Sequence, residues 1–314
     1  MKAAILREPG APQNLIIQEI TEPVVQPTEV LVKVKAISIN PVDVKTRSGK
    51  ALYGQLKNND PVIVGWDISG EVVAVGKEVQ QFTVGDAVFG MVNFPGHGKA
   101  YAEYVAAPEA HLALKPSVIS HQEAAATTLA ALTAWQVLVH LGGIKAGQKV
   151  FIQAAAGGVG HFAVQIAKHF GAYTIGTASA GHADFLQSLS LDENIDYTQE
   201  NFSERVQDVD LFLDSLGVDS VAQAIPIIKS GGQVISILGG CNEENQANAE
   251  AAGVKATNYL VQSSGNDMKE LAHLLTTGQL KAHVSQVFAF DDIAAAHTQV
   301  ETGRTRGKVV VTLD

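Results

Sequence analysis

Cysteine is nearly absent from this chain. A single residue, Cys241, stands among 314, so no intrachain disulfide can close and a four-thiolate zinc site cannot assemble. Positive charge is also short: 22 Lys and Arg against 32 Asp and Glu leave a formal charge of −10. Such a chain repels phosphate backbones and anionic lipid, which weighs against a nucleic-acid binder or a membrane-surface protein. Long hydrophobic runs are missing. The most apolar stretch, 124–141, is interrupted by Thr127, Thr128, Thr133, Gln136 and His140 and falls short of the ~20 apolar residues a membrane span needs. The opening MKAAILREPG lacks the apolar core of a signal peptide, so a reducing, cytoplasmic setting is expected. There is no repeat and no low-complexity segment. With 46% hydrophobic and 17% charged residues, the composition is that of a globular protein, and its length leaves room for two domains.

What is present divides into two regions. Residues 1–120 carry short β-branched runs, EVLVKVKAI (29–37), SGEVVAVG (69–76), DAVFGMV (86–92) and AEYVAA (102–107), bounded by Pro, Gly, Asp and Asn. They predict strands joined by turns, and over 30–37 the polar Lys33 and Lys35 fall on one face. A helical run over 122–141 opens the second region. Strand-like segments follow at 149–153, 173–177, 194–196, 209–213, 233–238 and 257–262, with helical stretches between most of them. That alternation predicts βαβ units and a parallel sheet. The expected fold is therefore α/β, with a Rossmann doubly wound parallel sheet over 121–262 and a β-rich domain built from 1–120 and 263–314. The polar, alanine-rich stretch 243–254 reads as a mobile segment. A helix near 269–276 and a strand over 307–313 end the chain.

The strongest local pattern is KVFIQAAAGGVGHFAVQIAKHFG, 149–171. Val159, Phe162, Ala163, Ile166, Ala167 and Phe170 step along one face of a helix, and Gly171 stops it. The loop before that helix matches G-x-G-x-x-G with one departure: Ala155, Gly157 and Gly160 occupy the three positions, with Gly158 and Val159 between the last two. Gly157 lets backbone approach a pyrophosphate, Gly160 lets the helix lie close to the strand, and the helix start offers free N–H groups. Two more loops, 214–217 with Ser215 and 238–240 with Leu238, Gly239 and Gly240, lie where parallel strands end and ligands bind. An NAD site places a carboxylate at the end of the second strand. Here that stretch reads Thr177-Ala178-Ser179-Ala180-Gly181-His182, with none. Nothing there repels a 2′-phosphate, and Ser179 can donate a hydrogen bond to one, so NADPH is the expected cofactor.

Seven segments in order, ISINPVDVKTRSG (37–49), VGWDISGEVVAVG (64–76), VGDAVFG (84–90), YAEYVAAPEAHLALKP (101–116), AALTAWQVL (130–138), AAAGGVG (154–160) and RTRGKVVV (304–311), resemble the zinc-independent quinone oxidoreductases of the medium-chain dehydrogenase/reductase superfamily, the zeta-crystallin-like branch. The resemblance covers essentially the whole chain. It implies that the β-rich domain is GroES-like and catalytic, that an active-site cleft lies between it and the Rossmann domain, and that the protein is a homodimer acting on a small-molecule quinone or enone. It also implies that the loops at 214–217 and 238–240 face the nicotinamide, that Thr133 and Lys308 lie near the cofactor, and that Tyr197 attends the 2′-phosphate. His182 stands nearest the place where relatives carry a lysine, and the resemblance makes it the expected cationic partner of that phosphate.

Zinc alcohol dehydrogenases of that superfamily carry a Cys where this chain has Asn40 and His-Glu where it has Trp66-Asp67. Neither position offers a thiolate or an imidazole, so no catalytic metal is expected, nor the alkoxide chemistry it supports. Hydride transfer to a quinone or an activated C=C bond needs mainly orientation. Asn40 is the first candidate for a polar contact at the reacting end, by the resemblance. Tyr53 is a candidate wall or proton donor. Lys45 and Arg47 read as loop charges and Cys241 as an inert thiol. Two other functions fit the same fold: a 2-enoyl thioester reductase, and a non-catalytic NADPH-binding partner protein.

Overall fold

The computed structural model describes residues 1–313. They form two compact units, 1–132 with 261–313, and Thr133–Leu260. The first boundary lies beyond the change of composition at Ser120, because the next helix belongs to the β-rich unit.

In that unit β1 (Lys2–Leu6) and β2 (Leu15–Glu19) form an antiparallel ribbon. The long strand β3 (Glu29–Ile39) is central. It pairs antiparallel with β4 (Asp67–Val75), and β4 continues to β5 (Ala87–Met91). The first half of β3 also pairs with β6 (Tyr104–Pro108), and β5 pairs with β7 (Leu112–Leu114). Most of β3 is buried, with only Glu29, Lys33 and Lys35 partly exposed, as the alternation in the sequence requires. Short helices α1 (Pro41–Arg47) and α2 (Tyr53–Leu56) follow β3. Helix α3 (His121–Ala126) opens on a capping box, in which Ser120 Oγ accepts from the Glu123 N–H and the Glu123 carboxylate accepts from the Ser120 N–H. Its small residues Ala125 and Ala126 pack on Ala36 and Val310.

The expected helix over 122–141 is broken. It divides at Thr127–Thr128 into α3 and α4 (Leu129–Trp135), and a π-helical turn, Gln136–Leu141, follows. Thr127 and Thr128 turn their hydroxyls back to the carbonyls of Glu123 and Ala125, a local competition that interrupts helices.

The second unit carries β8 (Lys149–Ile152), α5 (Gly160–His169), β9 (Tyr173–Ala178), α6 (Ala183–Ser188), β10 (Glu193–Asp196), α7 (Phe202–Arg205), β11 (Val209–Asp214), α8 (Val218–Ala224), β12 (Ile228–Ser236), α9 (Glu243–Ala251) and β13 (Lys255–Asn258). The sheet order is β10-β9-β8-β11-β12-β13, all parallel. This is the doubly wound order, in which the winding switches sides between β8 and β11 while every strand runs the same way. Phe151, Phe202 and Phe212 form the centre of its core, with Phe151 and Phe212 stacked at 4.6 Å between centroids. Two expectations change. Strand β12 starts earlier than 233, because the turn-like Gly231 and Gly232 lie within an irregular part of the strand. Most of the segment 243–254, read as mobile, is the helix α9, which Asn242 caps by accepting from the Asn245 N–H. The helix escaped notice because only Asn245 and Ala249 face the core.

The chain then returns to the first unit through α10 (Gly265–Thr276), β14 (Val284–Ala289), α11 (Ile293–Glu301) and β15 (Lys308–Thr312), with β15 pairing antiparallel to β3. Among the described residues, no helix is long and apolar enough to cross a membrane.

Candidate active and cofactor site

The glycine loop is pinned to the neighbouring strand. Ala154 N–H donates to Thr177 Oγ1 at 3.1 Å and Ala155 N–H to the Thr177 carbonyl at 2.9 Å. A Cβ on Gly160 would lie 2.3 Å from the Ala154 oxygen and 2.7 Å from Ala155 Cα, so only glycine lets α5 start there. A Cβ on Gly157 would meet only the Ala154 residue, at 3.1 Å or more, and the space outside it is open. Ala155, the departure from the pattern, is matched across the sheet: a Cβ on Gly176 would lie 2.6 Å from the Ala155 methyl. The N–H groups of Gly158, Val159 and Gly160 donate to no acceptor among the described residues. Three free donors at a helix start fit an anionic pyrophosphate. His161, which sequence reasoning passed over, is buried and donates from Nδ1 to the Gly157 carbonyl at 2.8 Å, bracing the loop.

The two other loops at this end of the sheet are tied together. Asp214, fully buried, accepts from the N–H groups of Leu216 (3.1 Å) and Gly217 (3.2 Å) and from Ser236 Oγ at 2.6 Å. Ser236 Oγ in turn accepts from the Gly240 N–H at 2.8 Å. Gly217 and Gly239 have φ of +110° and +76°, which suits glycine. Ser215 donates to the Gln153 carbonyl, so its hydroxyl is engaged within the protein. Leu216 and Leu238 stay exposed. Asp214 and Ser236 had a signal in the sequence: each is a polar residue straight after a short apolar run, Leu211-Phe212-Leu213 and Val234-Ile235.

At the end of β9, Ser179 is extended and Ala180–His182 form a 3₁₀ turn. His182 Nδ1 is buried with no partner among the described residues. Tyr197 is largely exposed, and Thr133 is buried within α4. Cys241 belongs to the core, where burial pushes its thiol up.

In the β-rich unit the candidates part company. Asn40 precedes α1 and is 1% exposed. Its Nδ2 donates to Asp67 Oδ2 at 2.7 Å, its Oδ1 accepts from Lys308 Nζ, and its backbone N–H donates to Asp43 at 2.7 Å. Both ends of the amide are thus engaged by neighbouring buried side chains. Lys308 is likewise enclosed, donating also to the Ile39 carbonyl at 3.2 Å. The other oxygen of Asp67 accepts from the Leu129 N–H at 3.0 Å.

Around this core, Tyr101 OH lies against Asp43 and bonds His297 Nε2 at 2.9 Å. Arg47 is no loop charge: it is buried, donating to the Gly10 carbonyl and pairing with Glu301. Burial, reinforced by the Asp67 charge, pushes the Asp43 carboxyl up to about 7. Burial holds the His297 imidazole down at about 3, with Arg47 adding to the effect. It also lowers the Lys308 ammonium against the pull of Asp67 and Asp43. Tyr53 differs from all of these. It is half-buried at the start of α2, and its hydroxyl has no partner among the described residues.

No group of three or more His, Cys, Asp or Glu among the described residues is arranged to hold a metal. A two-unit chain with a Rossmann sheet, a donor-rich glycine loop and a GroES-like β-rich unit defines a nicotinamide-dependent oxidoreductase. Family profiles agree: residues 26–117 match an alcohol dehydrogenase GroES-like domain and 189–311 a zinc-binding dehydrogenase. The chain is 34% identical to 2-methylene-furan-3-one reductase of Solanum lycopersicum, over 99% of this chain and 79% of that protein. It is 34% identical to the chloroplastic NADPH-dependent alkenal/one oxidoreductase of Arabidopsis thaliana, over 95% and 74%. The solved quinone oxidoreductase of Coxiella burnetii superposes with a TM-score of 0.94 at 35% identity, covering 100% of this chain and 99% of that one. The chain belongs to the zinc-independent, quinone oxidoreductase-like branch of the medium-chain dehydrogenase/reductase superfamily. It is an enzyme of the medium-chain reductase type.

Proposed function

We propose that this protein reduces a quinone or an activated enone with NADPH. The observation that carries the reading is the free N–H row of Gly158, Val159 and Gly160 beside a β9 end that bears no acid of its own. In this reading that row holds the pyrophosphate, and the Asp214–Ser236 tie keeps loops 214–217 and 238–240 rigid beside the nicotinamide. Ser179 and His182 take the 2′-phosphate, with Tyr197 beside it. The nicotinamide, when bound, supplies the hydride.

Asn40 and Lys308 act as positioning residues that fix the start of α1, whereas Tyr53 has a free hydroxyl to give a proton to an enolate oxygen. NADPH oxidation is to be followed against quinones, α,β-unsaturated ketones and 2-enoyl thioesters. Turnover is expected on the first two, and turnover confined to thioesters overturns the reading. Tyr53→Phe should slow enone reduction by the ~10²–10⁴ of lost acid catalysis. A quinone, whose reduced oxygen can take a proton from water, should suffer less. His182→Ala should weaken NADPH binding while leaving NADH binding nearly as it was, and an unchanged ratio of the two affinities would remove His182 from the 2′-phosphate. A homodimer in the cytoplasm is part of the same proposal, to be checked by sedimentation and cell fractionation.

A further inference from the structure

The strand end Thr177–Ser179 carries no acid, yet the fold brings one to it. Strands β9 and β10 run parallel with Ala178 opposite Asp196, so Asp196 stands beside the last residue before Ser179. Its carboxylate accepts from the Thr198 N–H at 3.0 Å and the Thr198 hydroxyl at 2.8 Å. Those two bonds, and more weakly the Ala180 N–H, hold it below the usual carboxylate range. The Ala180 N–H belongs to the 3₁₀ turn that ends at His182. Among the described residues no ion pair to Asp196 forms: Arg205, the basic residue of α7, pairs with Glu193 and Glu200.

We infer that Asp196 is a specificity residue that limits the preference for NADPH over NADH, by setting a fixed negative charge against the 2′-phosphate beside the Ser179–His182 turn. The inference rests on the proposal that this turn receives the ribose end of the cofactor. A dianion near a fixed carboxylate is repelled, while a ribose hydroxyl is not and can donate to it. The carboxylate that NAD sites place on the second strand is here moved one strand over, and the enzyme keeps appreciable affinity for NADH.

The test is the ratio of Kd for NADH to Kd for NADPH, by fluorescence titration, in the wild type, Asp196→Asn and Asp196→Ser, with thermal melts showing that each is folded. Both variants remove the charge but keep an acceptor for Thr198. The ratio should rise about three- to tenfold at low salt, mainly through tighter NADPH binding, and the gain should shrink in 0.5 M salt, where a Debye length of roughly 4 Å screens the repulsion. Ser179→Ala and His182→Ala are measured alongside. If these change the ratio and both Asp196 variants leave it within about twofold of the wild type, the inference is wrong while the turn keeps its role. If none of the four changes it, the turn is not the 2′-phosphate site, and both readings fall. A ratio that moves toward NADH in the Asp196 variants also overturns the inference.

Discussion

The cluster around Asn40 and the loops at the end of the parallel sheet treat polar groups in opposite ways. Around Asn40 the charged and amide groups turn on one another: Asp67, Asp43, Lys308 and Asn40 are buried and bonded to one another or to backbone. At the glycine loop, backbone donors are left without acceptors while the surrounding side chains hold the loop still. The first arrangement makes structure and the second makes a binding site. Polar residues at a resemblance-derived position are not thereby available to a ligand. Whether their hydrogen bonds are already made decides that.

The contrast can be broken by substitution. The largest effect is expected at Lys308. Lys308→Met leaves two buried carboxylates without their cation, at a cost of about 3–5 kcal/mol. Thermal unfolding should show it, while NADPH affinity of the remaining folded protein stays within a few-fold; an unchanged midpoint would mean the cluster is not tightly coupled. Gly157→Val should do the reverse. The melt should hold, because a Cβ there meets only Ala154, but NADPH binding should weaken by about a hundredfold, some 2.7 kcal/mol, as the side chain fills the approach to the phosphates.

Asp43 sharpens the comparison through pH. Its folded carboxyl sits at about 7 against 3.8 for an ordinary aspartate, so the native state holds the proton more tightly than the unfolded chain. That contribution is fully present below the unfolded value and is lost as pH rises toward 7, with a slope approaching about 1.4 kcal/mol per unit. Asp43→Asn should remove that slope from a series of melts between pH 4 and 7. Parallel curves for variant and wild type would refute the assignment. The smallest effect is expected from Ser236→Ala, which cuts the tie between the two loops for about 1 kcal/mol. Amide exchange at Gly217 and Gly240 should quicken, while exchange around Asn40 stays as it was.

Local patterns carried a good deal of this. Gly171 after α5, the spacing of Ala155, Gly157 and Gly160, and the βαβ alternation are short-range signals, and each appears in the structure where chain-local physics puts it. α9 was illegible because two buried residues do not make an amphipathic face, and the break in the helix at Thr127–Thr128 depends on side chains choosing carbonyls over solvent.

Composition and periodicity by themselves determined the class of fold, the glycine loop and the kind of ligand it suits, because those depend on residues within a few turns of one another. Only the tertiary structure decided that Asn40 is sealed, that Arg47 is an internal cation, that Gly176 makes room for Ala155 and that Asp196 stands beside Ser179. Each of these joins residues far apart in the chain, where burial and strand register, not local sequence, set which polar group meets which partner.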